Sequence, residues 1–378
     1  MKSGKRNVPF FSYPAIFAQH ESDYMEILRD VLGRGAFIMQ KDLEAFQNRL
    51  ADYLGIKHAI GTADGTMAMV TALLAVGVGK GDEVILPSHT FVATAAAVHH
   101  VGAKPVLADC GPDHLIDPAS VAALITPKTR VLMPVQLNGR TADMDKLVAI
   151  AKVHNLQIVE DACQALGSKY KGKFAGTFGK VGAFSFYPSK TLGCFGDGGA
   201  LVTNNDDVAE RVRLLRDHGR NDEGKVECFG FNARLDNVHA AILDYKLKRY
   251  REVVERRRAI ARLYKERLGI MEQLVLPPGP DDDPDHFDVY QNYEIEAENR
   301  DGLKEHLAEN GVGTLIQWGG KAVHQFSKLG FIQELPFTER LFERMLMLPM
   351  NMSVTDEDVE YVCKCIRDFY AHDVIRSH

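Results

Sequence analysis

Between residues 57 and 203, short runs rich in β-forming residues alternate with stretches rich in Ala and Leu. The β-forming runs are HAIG, EVILP, PVLAD, RVLMPVQ, LQIVED, VGAFSFY and GALVT. Because strands that alternate with helices build βαβ units, this order predicts a mostly parallel sheet with helices on both faces. Two joining helices have clear patterns: residues 66–76 are apolar nearly all round, and residues 143–154 carry apolar residues at helical spacing after a polar cap.

The pattern changes after Arg234. Residues 235–268 contain neither Gly nor Pro and are dense in Lys, Arg and Glu, which predicts one long, bent helix. The basic run at 246–258 is interpreted as a solvent-exposed face of that helix. The segment PPGPDDDPD at 277–285 then ends the helical pattern.

The remaining residues predict a smaller α+β domain. We expect a large domain over residues 1–245, which includes the amino-terminal segment. A second unit, over residues 246–378, combines the long helix with the small domain. Its predicted elements are a strand near Tyr290–Glu296 and helices near Arg300–Glu309, Pro336–Met345 and Thr355–Phe369.

Composition excludes several classes of protein. The chain has 378 residues, of which 46% are hydrophobic and 25% charged, as in a globular protein with a sizeable core. The net charge of −6 argues against nucleic-acid binding, and no run of 18 apolar residues predicts a membrane span. Six scattered cysteines fit reduced thiols, so we expect a cytoplasmic protein. The side-by-side His99-His100 pair and Cys363-x-Cys365 lack ligand geometry, so no metal site is predicted.

Three polar residues follow predicted strands. Asp161 and Gln164 come at the end of LQIVED, and Lys190 follows VGAFSFY. Ligands gather at the carboxyl ends of parallel strands, so these side chains can converge although they are distant in sequence. A buried acid, a lysine and a phosphate cradle are what pyridoxal 5′-phosphate requires. The lysine forms a Schiff base with the cofactor aldehyde, and the acid keeps the pyridine nitrogen protonated.

Several motifs together resemble one known family. EDACQALGS, GTFGKVGAFSFYPSK, GDGGALVTN and GFNARLDNVHAA are similar to the DegT/DnrJ/EryC1/StrS sugar aminotransferases, as are GDEVILPSHTFVATAAAVHHVGAKPVLAD and RVLMPVQLNGRTADMDKL. The resemblance covers nearly the whole chain. It implies the α/β aspartate-aminotransferase fold type I, with a mostly parallel central sheet and a smaller α+β carboxy-terminal domain.

The resemblance also implies roles for the residues that contact the cofactor ring. Lys190 is the expected Schiff-base lysine and Asp161 the partner of the pyridine nitrogen. Gln164 lies at the ring hydroxyl, and Phe91 of SHTFVAT stacks on the ring, although an ordinary core role for Phe91 stays open.

Other matched residues are expected to hold the cofactor phosphate. Gly65 and Thr66 of ADGTMAM offer a helix N-terminus, a suitable place for a dianion, and Ser185 adds a hydroxyl. Asn232 reaches in from the other subunit, which implies a homodimer with shared active sites. This chain has Asp64 where the family usually has Ser, and a carboxylate is unfavourable beside a phosphate, so Asp64 is assigned no phosphate contact.

The implied reaction is transfer of an amino group from L-glutamate to a keto sugar carried by a nucleotide. Lys190 disfavours the dehydratase branch of the family, which has His at this position. The GDGG form at Gly196–Gly199 favours a 3-keto sugar, while a 4-keto sugar or a cyclitol remains the alternative. A protein that binds the cofactor for regulation, without catalysis, is a further alternative. An acidic protein that binds an anionic sugar nucleotide must concentrate positive groups in its cleft.

Two further residues have both a functional and a structural interpretation. Arg234 either meets the nucleotide diphosphate or pairs with Asp236 or another carboxylate. His324 of WGGKAVHQF either contacts the substrate or has a structural role, since Trp318 and the glycines before it depart from the family pattern. Glycines 176, 179 and 182 lack the spacing of a dinucleotide fingerprint, and no G-x-x-x-x-G-K-[ST] motif occurs, so neither NAD nor ATP is implied.

Overall fold

The computed structural model of the protein describes residues 6–376. Its strands, numbered along the chain, are β1 (His58–Thr62), β2 (Glu83–Pro87), β3 (Lys104–Ala108), β4 (Thr129–Leu132), β5 (Gln157–Asp161), β6 (Lys169–Tyr170), β7 (Lys173–Phe174), β8 (Val181–Ser185), β9 (Gly199–Thr203), β10 (Leu274–Val275), β11 (His286–Phe287), β12 (Tyr293–Ala297) and β13 (Met345–Leu348).

The α-helices are numbered in the same way. They are α1 (Tyr13–Ala18), α2 (Glu21–Gly33), α3 (Lys41–Leu54), α4 (Gly65–Ala75), α5 (Val92–His100), α6 (Pro118–Leu124), α7 (Met144–Val153), α8 (Asp206–Arg216), α9 (Asn237–Leu247), α10 (Tyr250–Leu268), α11 (Arg300–Glu309), α12 (Pro336–Arg344) and α13 (Asp356–Arg376).

A central sheet forms from the β-rich runs that the sequence predicts. Its strand order is β1-β9-β8-β5-β4-β2-β3. Neighbours from β8 through β3 are parallel, and only β9 pairs antiparallel with the strands on either side of it. The strands are buried nearly throughout, as continuous apolar runs covered on both faces should be. The predicted mostly parallel sheet is confirmed.

Helix α4 explains why one predicted helix is apolar all round. Its residues Ala68, Met69, Ala72 and Leu73 are buried among side chains of the sheet, in the same core as Leu201. A helix enclosed on every side needs no polar face. The amphipathic α7 instead buries only part of its surface, and Asp143 caps it by accepting a hydrogen bond from the N–H of Lys146.

The long helix predicted over residues 235–268 is two helices, so that prediction is wrong. Lys248 and Arg249 form a turn between α9 and α10. Directly after it, Tyr250 is fully buried and donates a hydrogen bond to the carbonyl of Leu166. The turn changes the direction of the chain, so that Tyr250 packs in the core of the large sheet. Tertiary packing decides this turn, because the sequence has no Gly or Pro there.

The basic run at 246–258 is a solvent-exposed face only in part: Lys248, Arg249 and Arg251 are exposed, whereas two other arginines point inward. Arg257 is 3% exposed and donates to the carbonyls of Tyr290 and Gln291. Arg258 donates to the carbonyls of Asp288 and Pro280. A guanidinium carries five N–H donors and can satisfy several carbonyls at once, so these side chains tie α10 to the segment before β12.

A second core lies around the antiparallel sheet β10-β12-β13. Helices α10, α11 and α13 cover it with apolar residues that include Ile260, Leu303 and Ile366. The predicted strand begins three residues late, at Tyr293, because Tyr290 has a left-handed backbone (φ 50°). Strand β13 was not predicted. The division at residue 245 stays a prediction, and Val8 near the amino terminus packs in this second core.

Glycines 176, 179 and 182 serve close packing. A Cβ at Gly182 would collide with the carbonyl of Gly176, and one at Gly179 with the carbonyl of Ile158. All six cysteines are free thiols. Within residues 6–376, no helix is long and apolar enough to cross a membrane.

Candidate active site

A cavity of about 600 Å³ opens at the carboxyl ends of the central strands, against the second core. The large sheet and its helices contribute most of the residues predicted from the sequence. These are Gly65, Thr66, Phe91, Asp161, Gln164, Ser185 and Lys190. The second core contributes Gln291, Asn292, Gln317, Trp318 and Met347. The fold therefore brings the predicted ring and phosphate residues of one chain to a single cavity.

Asp161, the last residue of β5, is held rigidly. It is 5% exposed, and one of its oxygens accepts a hydrogen bond of 2.8 Å from the Thr94 hydroxyl. The other accepts one of 3.1 Å from the backbone N–H of Cys163. The Thr94 hydroxyl lies 2.7 Å from that of Thr90, and since its own proton is donated to Asp161, Thr90 donates to Thr94. Each carboxylate oxygen keeps a lone pair for another donor.

Asp161 does not cap a helix. Residues 162–167 form turns, and the N–H of Cys163 bonds the carboxylate within such a turn. Sequence analysis missed Thr90 and Thr94. The available signal was their placement one residue before and three residues after Phe91, at the start of α5.

Lys190 lies in the turn that follows β8, where its backbone N–H bonds the carbonyl of Tyr187. Burial lowers the pKa of Lys190 below the ordinary lysine value, although the nearby Cys163 and Asp161 act in the opposite direction. A lowered pKa increases the fraction of neutral amine, which is the nucleophilic and basic form.

The phosphate end of the cavity is the N-terminus of α4. Asp64 is its cap, because its carboxylate accepts a hydrogen bond of 2.8 Å from the N–H of Met67. Asp and Ser serve equally well in this position, so Asp64 can do the capping work of the family's Ser. The N–H groups of Gly65 and Thr66 begin the helix without intrahelical partners.

Space at this end is tight. A Cβ at Gly65 would come within 2.8 Å of the Ser185 Cβ and 2.9 Å of the Cys163 sulfur. A Cβ at Gly199 would collide with the backbone of Asp64. The glycines let the helix start approach Ser185 closely, which forms a cradle of backbone N–H groups and one hydroxyl, and this donor set suits a phosphate.

The charges around the cavity do not match one expectation. Among the described residues, its charged lining consists of Asp64, Asp161, Asp197 and Lys190. The expected concentration of positive groups is therefore absent from the cavity of a single chain.

Three predicted residues do not line this cavity. Asn232 is exposed. Arg234 donates to Asp217 at 2.8 Å, which is the carboxylate pairing that the sequence left open. His324 is 8% exposed and lies between the hydroxyl of Ser88, at 2.7 Å, and the carboxylate of Glu339, at 3.2 Å. These contacts favour the structural interpretation of His324.

Phe91 lines the cavity and is 54% exposed, so it is not an ordinary core residue. The second core adds lining residues that sequence analysis missed, chiefly Asn292 and Gln317. No sequence signal marks them, because their approach to the cavity depends on how the two cores pack.

Comparison with known proteins identifies the family of this chain. The DegT/DnrJ/EryC1/StrS aminotransferase family matches residues 18–367. A dTDP-3-amino-3,4,6-trideoxy-alpha-D-glucose transaminase from Streptomyces venezuelae is 41% identical over 374 residues, which are 96% of this chain and 96% of the relative. A pleiotropic regulatory protein from Geobacillus stearothermophilus is 39% identical over 374 residues, 97% of this chain and 99% of the relative.

A solved structure has the same fold. The crystal structure of NtdA from Bacillus subtilis with bound cofactor PMP matches with a TM-score of 0.88 and 30% identity, covering 98% of this chain and 86% of that chain. The predicted aspartate-aminotransferase fold type I is confirmed. On its sequence, fold and site, the chain belongs to the DegT/DnrJ/EryC1/StrS aminotransferase family and is an aminotransferase.

Proposed function

We propose that this chain uses pyridoxal 5′-phosphate to transfer the amino group of L-glutamate to C3 of a keto sugar carried by a nucleotide. One observation carries the proposal: Lys190, Asp161, Gln164 and the N-terminus of α4 meet at one cavity of about 600 Å³. A basic amine, a rigid carboxylate and an anion-binding helix start are the three groups that this cofactor requires.

The residues fit the cofactor end to end. The cradle formed by Gly65, Thr66 and Ser185 suits the phosphate, and the free lone pairs of Asp161 suit a protonated ring nitrogen. Phe91 offers an exposed ring for stacking. The cofactor supplies an aldehyde that takes up the amino group and a ring that accepts electrons.

Lys190 moves the proton in this scheme. Lys190 would hold the cofactor through its amine, and the same amine, when not so engaged, would act as a local base. Its lowered pKa keeps more of it neutral, so its Nζ can take the proton from the α-carbon of glutamate. The second half of the reaction returns a proton to the sugar carbon that becomes the amine carbon.

The acidic cavity supports a shared active site. Among the described residues, Lys190 is the only cation that lines the cavity, whereas the carboxylates of Asp64 and Asp197 also line it. Asn232 lies just beyond Phe229 and Phe231, and Phe229 is fully exposed. An exposed aromatic segment beside a polar group suits burial against a second copy of the chain, whose cavity Asn232 then completes.

The C3 position rests on narrower support. The GDGG form at Gly196–Gly199 favours it, and the Streptomyces venezuelae relative is named for a 3-amino sugar. A 4-keto sugar or a cyclitol is the competing substrate. The regulatory name of the Geobacillus stearothermophilus relative does not extend to this chain, whose lysine and acid are those of an enzyme.

Trapping of the cofactor tests the role of Lys190. We expect protein incubated with pyridoxal 5′-phosphate to absorb near ~410–430 nm, as a cofactor bound to an activated lysine does. Borohydride should then attach the cofactor to the peptide that contains Lys190, as read by mass spectrometry. Lys190→Ala should be colourless and inactive, and a Lys190→Ala protein that still transaminates would disprove the mechanism.

The substrate is tested by an amination screen. Purified enzyme, glutamate and UDP-, dTDP- or GDP-linked 3-keto and 4-keto sugars are incubated separately, and products are identified by mass shift and NMR. We expect amination at C3 of at least one sugar. Turnover of 4-keto sugars alone would overturn the assignment of C3 while leaving the aminotransferase intact.

Subunit complementation tests the shared site. Each of two substitutions inactivates one contributor to the proposed shared site. Lys190→Ala removes the lysine, and Asn232→Glu places a negative charge against the phosphate. In a mixed dimer one site carries both changes and the other carries neither. Mixed and reassociated subunits should therefore regain about one quarter of wild-type activity. Absence of recovery, with mixed dimers demonstrated by mass, would place Asn232 outside the neighbouring site.

Asp64 yields a further prediction. Asp64→Ser keeps the cap and removes the negative charge, so the apoprotein should bind pyridoxal 5′-phosphate several-fold more tightly at similar stability. Asp64→Ala loses the cap, which should lower the free energy of unfolding by about 1 kcal/mol. Absorbance titration and denaturant unfolding measure the two effects. Weaker cofactor binding by Asp64→Ser would show that the carboxylate itself supports the site.

A further inference from the structure

Four side-chain amides connect the two cores beside the cavity. Asn138 and Gln164 belong to the large-sheet side, and Asn292 and Gln317 to the side of the second core. The Asn138 backbone N–H lies 3.0 Å from Gln164 Oε1, and Asn292 Nδ2 lies 3.3 Å from the same oxygen. The Asn138 Oδ1 is 2.8 Å from Asn292 Nδ2 and 2.6 Å from Gln317 Nε2.

The direction of every bond in this chain follows from one backbone group. A backbone N–H can only donate, so the Gln164 atom that faces Asn138 is its oxygen. The Asn292 atom that faces this oxygen must then be its NH2 group. The Asn138 atom that meets the same NH2 group is an oxygen, and Gln317 must offer it a donor. Reversal of any one amide would place two donors or two acceptors in contact.

These hydrogen bonds determine which group Gln164 can offer to the cavity. With its oxygen held by Asn138 and Asn292, the side chain can present only its NH2 group elsewhere, and that group has no partner among the described residues. Gln164 lines the cavity. At the other end, Gln317 is 2% exposed, and its oxygen is buried without a hydrogen-bond partner within residues 6–376.

We propose that Asn292, Asn138 and Gln317 are positioning residues that lock Gln164 as a hydrogen-bond donor toward the cofactor ring oxygen. The inference rests on the proposed binding of pyridoxal 5′-phosphate, and it adds a dependence on domain packing. Two of the four amides reach the site only when the second core is seated against the sheet. The donor at the ring is thus fixed by residues from both cores.

Two matched substitutions test the direction of the bonds. Asn138 uses only its side-chain oxygen here, so Asn138→Asp retains the acceptor. Asn292 uses only its NH2 group, so Asn292→Asp removes a donor. It also places a carboxylate opposite the side-chain oxygens of Asn138 and Gln164, which are both acceptors. Both substitutions add the same charge within one network. The difference between the pH midpoints of the two variants therefore reports the effect of the lost donor. Asp also tolerates the left-handed backbone of Asn138, whose φ is 55°.

The readout is the pH midpoint of the visible absorbance of the loaded enzyme. A donor at the ring oxygen stabilises the deprotonated chromophore, in which that oxygen carries more negative charge. We expect Asn292→Asp to titrate at a pH higher than Asn138→Asp by roughly half a unit or more. Asn310 lies outside the network, and its NH2 group contacts only the carbonyl and the ring nitrogen of His306, so Asn310→Asp should titrate as the wild type does.

A double-mutant cycle shows whether Asn292 acts through Gln164. Gln164→Leu should raise the midpoint, and adding Asn292→Leu should raise it no further. Equal midpoints for Asn292→Asp and Asn138→Asp, or shifts of the two Leu variants that add in full, would overturn the proposal.

The apoprotein provides a second test that needs no cofactor. If the amide chain is correct, the effects of Asn292→Leu and Gln164→Leu on the free energy of unfolding are not additive, and additive effects refute the chain. This measurement separates the two proposals. A wild type that takes up no cofactor, with coupled unfolding effects, would refute the proposed function and leave the amide chain standing.

Discussion

The arrangement of this site depends on a buried carboxylate. Asp161 ends the central strand β5, and removing its charge from water costs free energy unless polar groups replace the lost hydration. Thr94 and the N–H of Cys163 supply that replacement, one at each oxygen. Since each oxygen has its own donor, rotation of the carboxylate would break both hydrogen bonds. Lys190 and Gln164 then take positions around a fixed charge.

The aromatic ring of Phe91 and the carboxylate of Asp161 are connected through helix α5. Phe91 is the residue before α5, and Thr94 is in the first turn of that helix. One helix start therefore carries both the exposed aromatic ring and the hydroxyl that orients Asp161. The segment is also held by residues from the carboxy-terminal part of the chain, because Ser88 contacts His324 and the N–H of Val323 bonds the carbonyl of Ser88. His324 thus supports the site from behind, without lining the cavity.

The second core adds amide side chains to the lining of the cavity but no charged residue. It brings the amides of Asn292 and Gln317 against Asn138, which fixes the polarity of Gln164. It leaves the cavity with three aspartates and one lysine as its charged lining within the described chain. That set cannot balance the charge of the proposed anionic cofactor and anionic substrate, and this imbalance supports the proposal that a second copy of the chain completes the site.

Much of the fold and several residues of the cavity could be predicted, because they follow from local sequence patterns. Alternating β-rich and helical runs identified the strands of the central sheet, and strand ends located Asp161 and Lys190, since carboxyl ends of parallel strands share one edge. Helix α11 was predicted with its observed bounds because its pattern is clear at both ends. The turn between α9 and α10 and strand β13 were missed, because each depends on packing partners far away in sequence.

The sequence by itself therefore determined the central sheet and the family, because periodicity and short motifs are local properties of the chain. It also supplied the residues that are proposed to hold the cofactor. Only the tertiary structure decided that Thr94 donates to Asp161 and which way the Gln164 amide faces. It also decided that Arg234 pairs with Asp217. Hydrogen bonds form between groups within about 3 Å of each other, and only tertiary packing brings groups that are distant in sequence so close together.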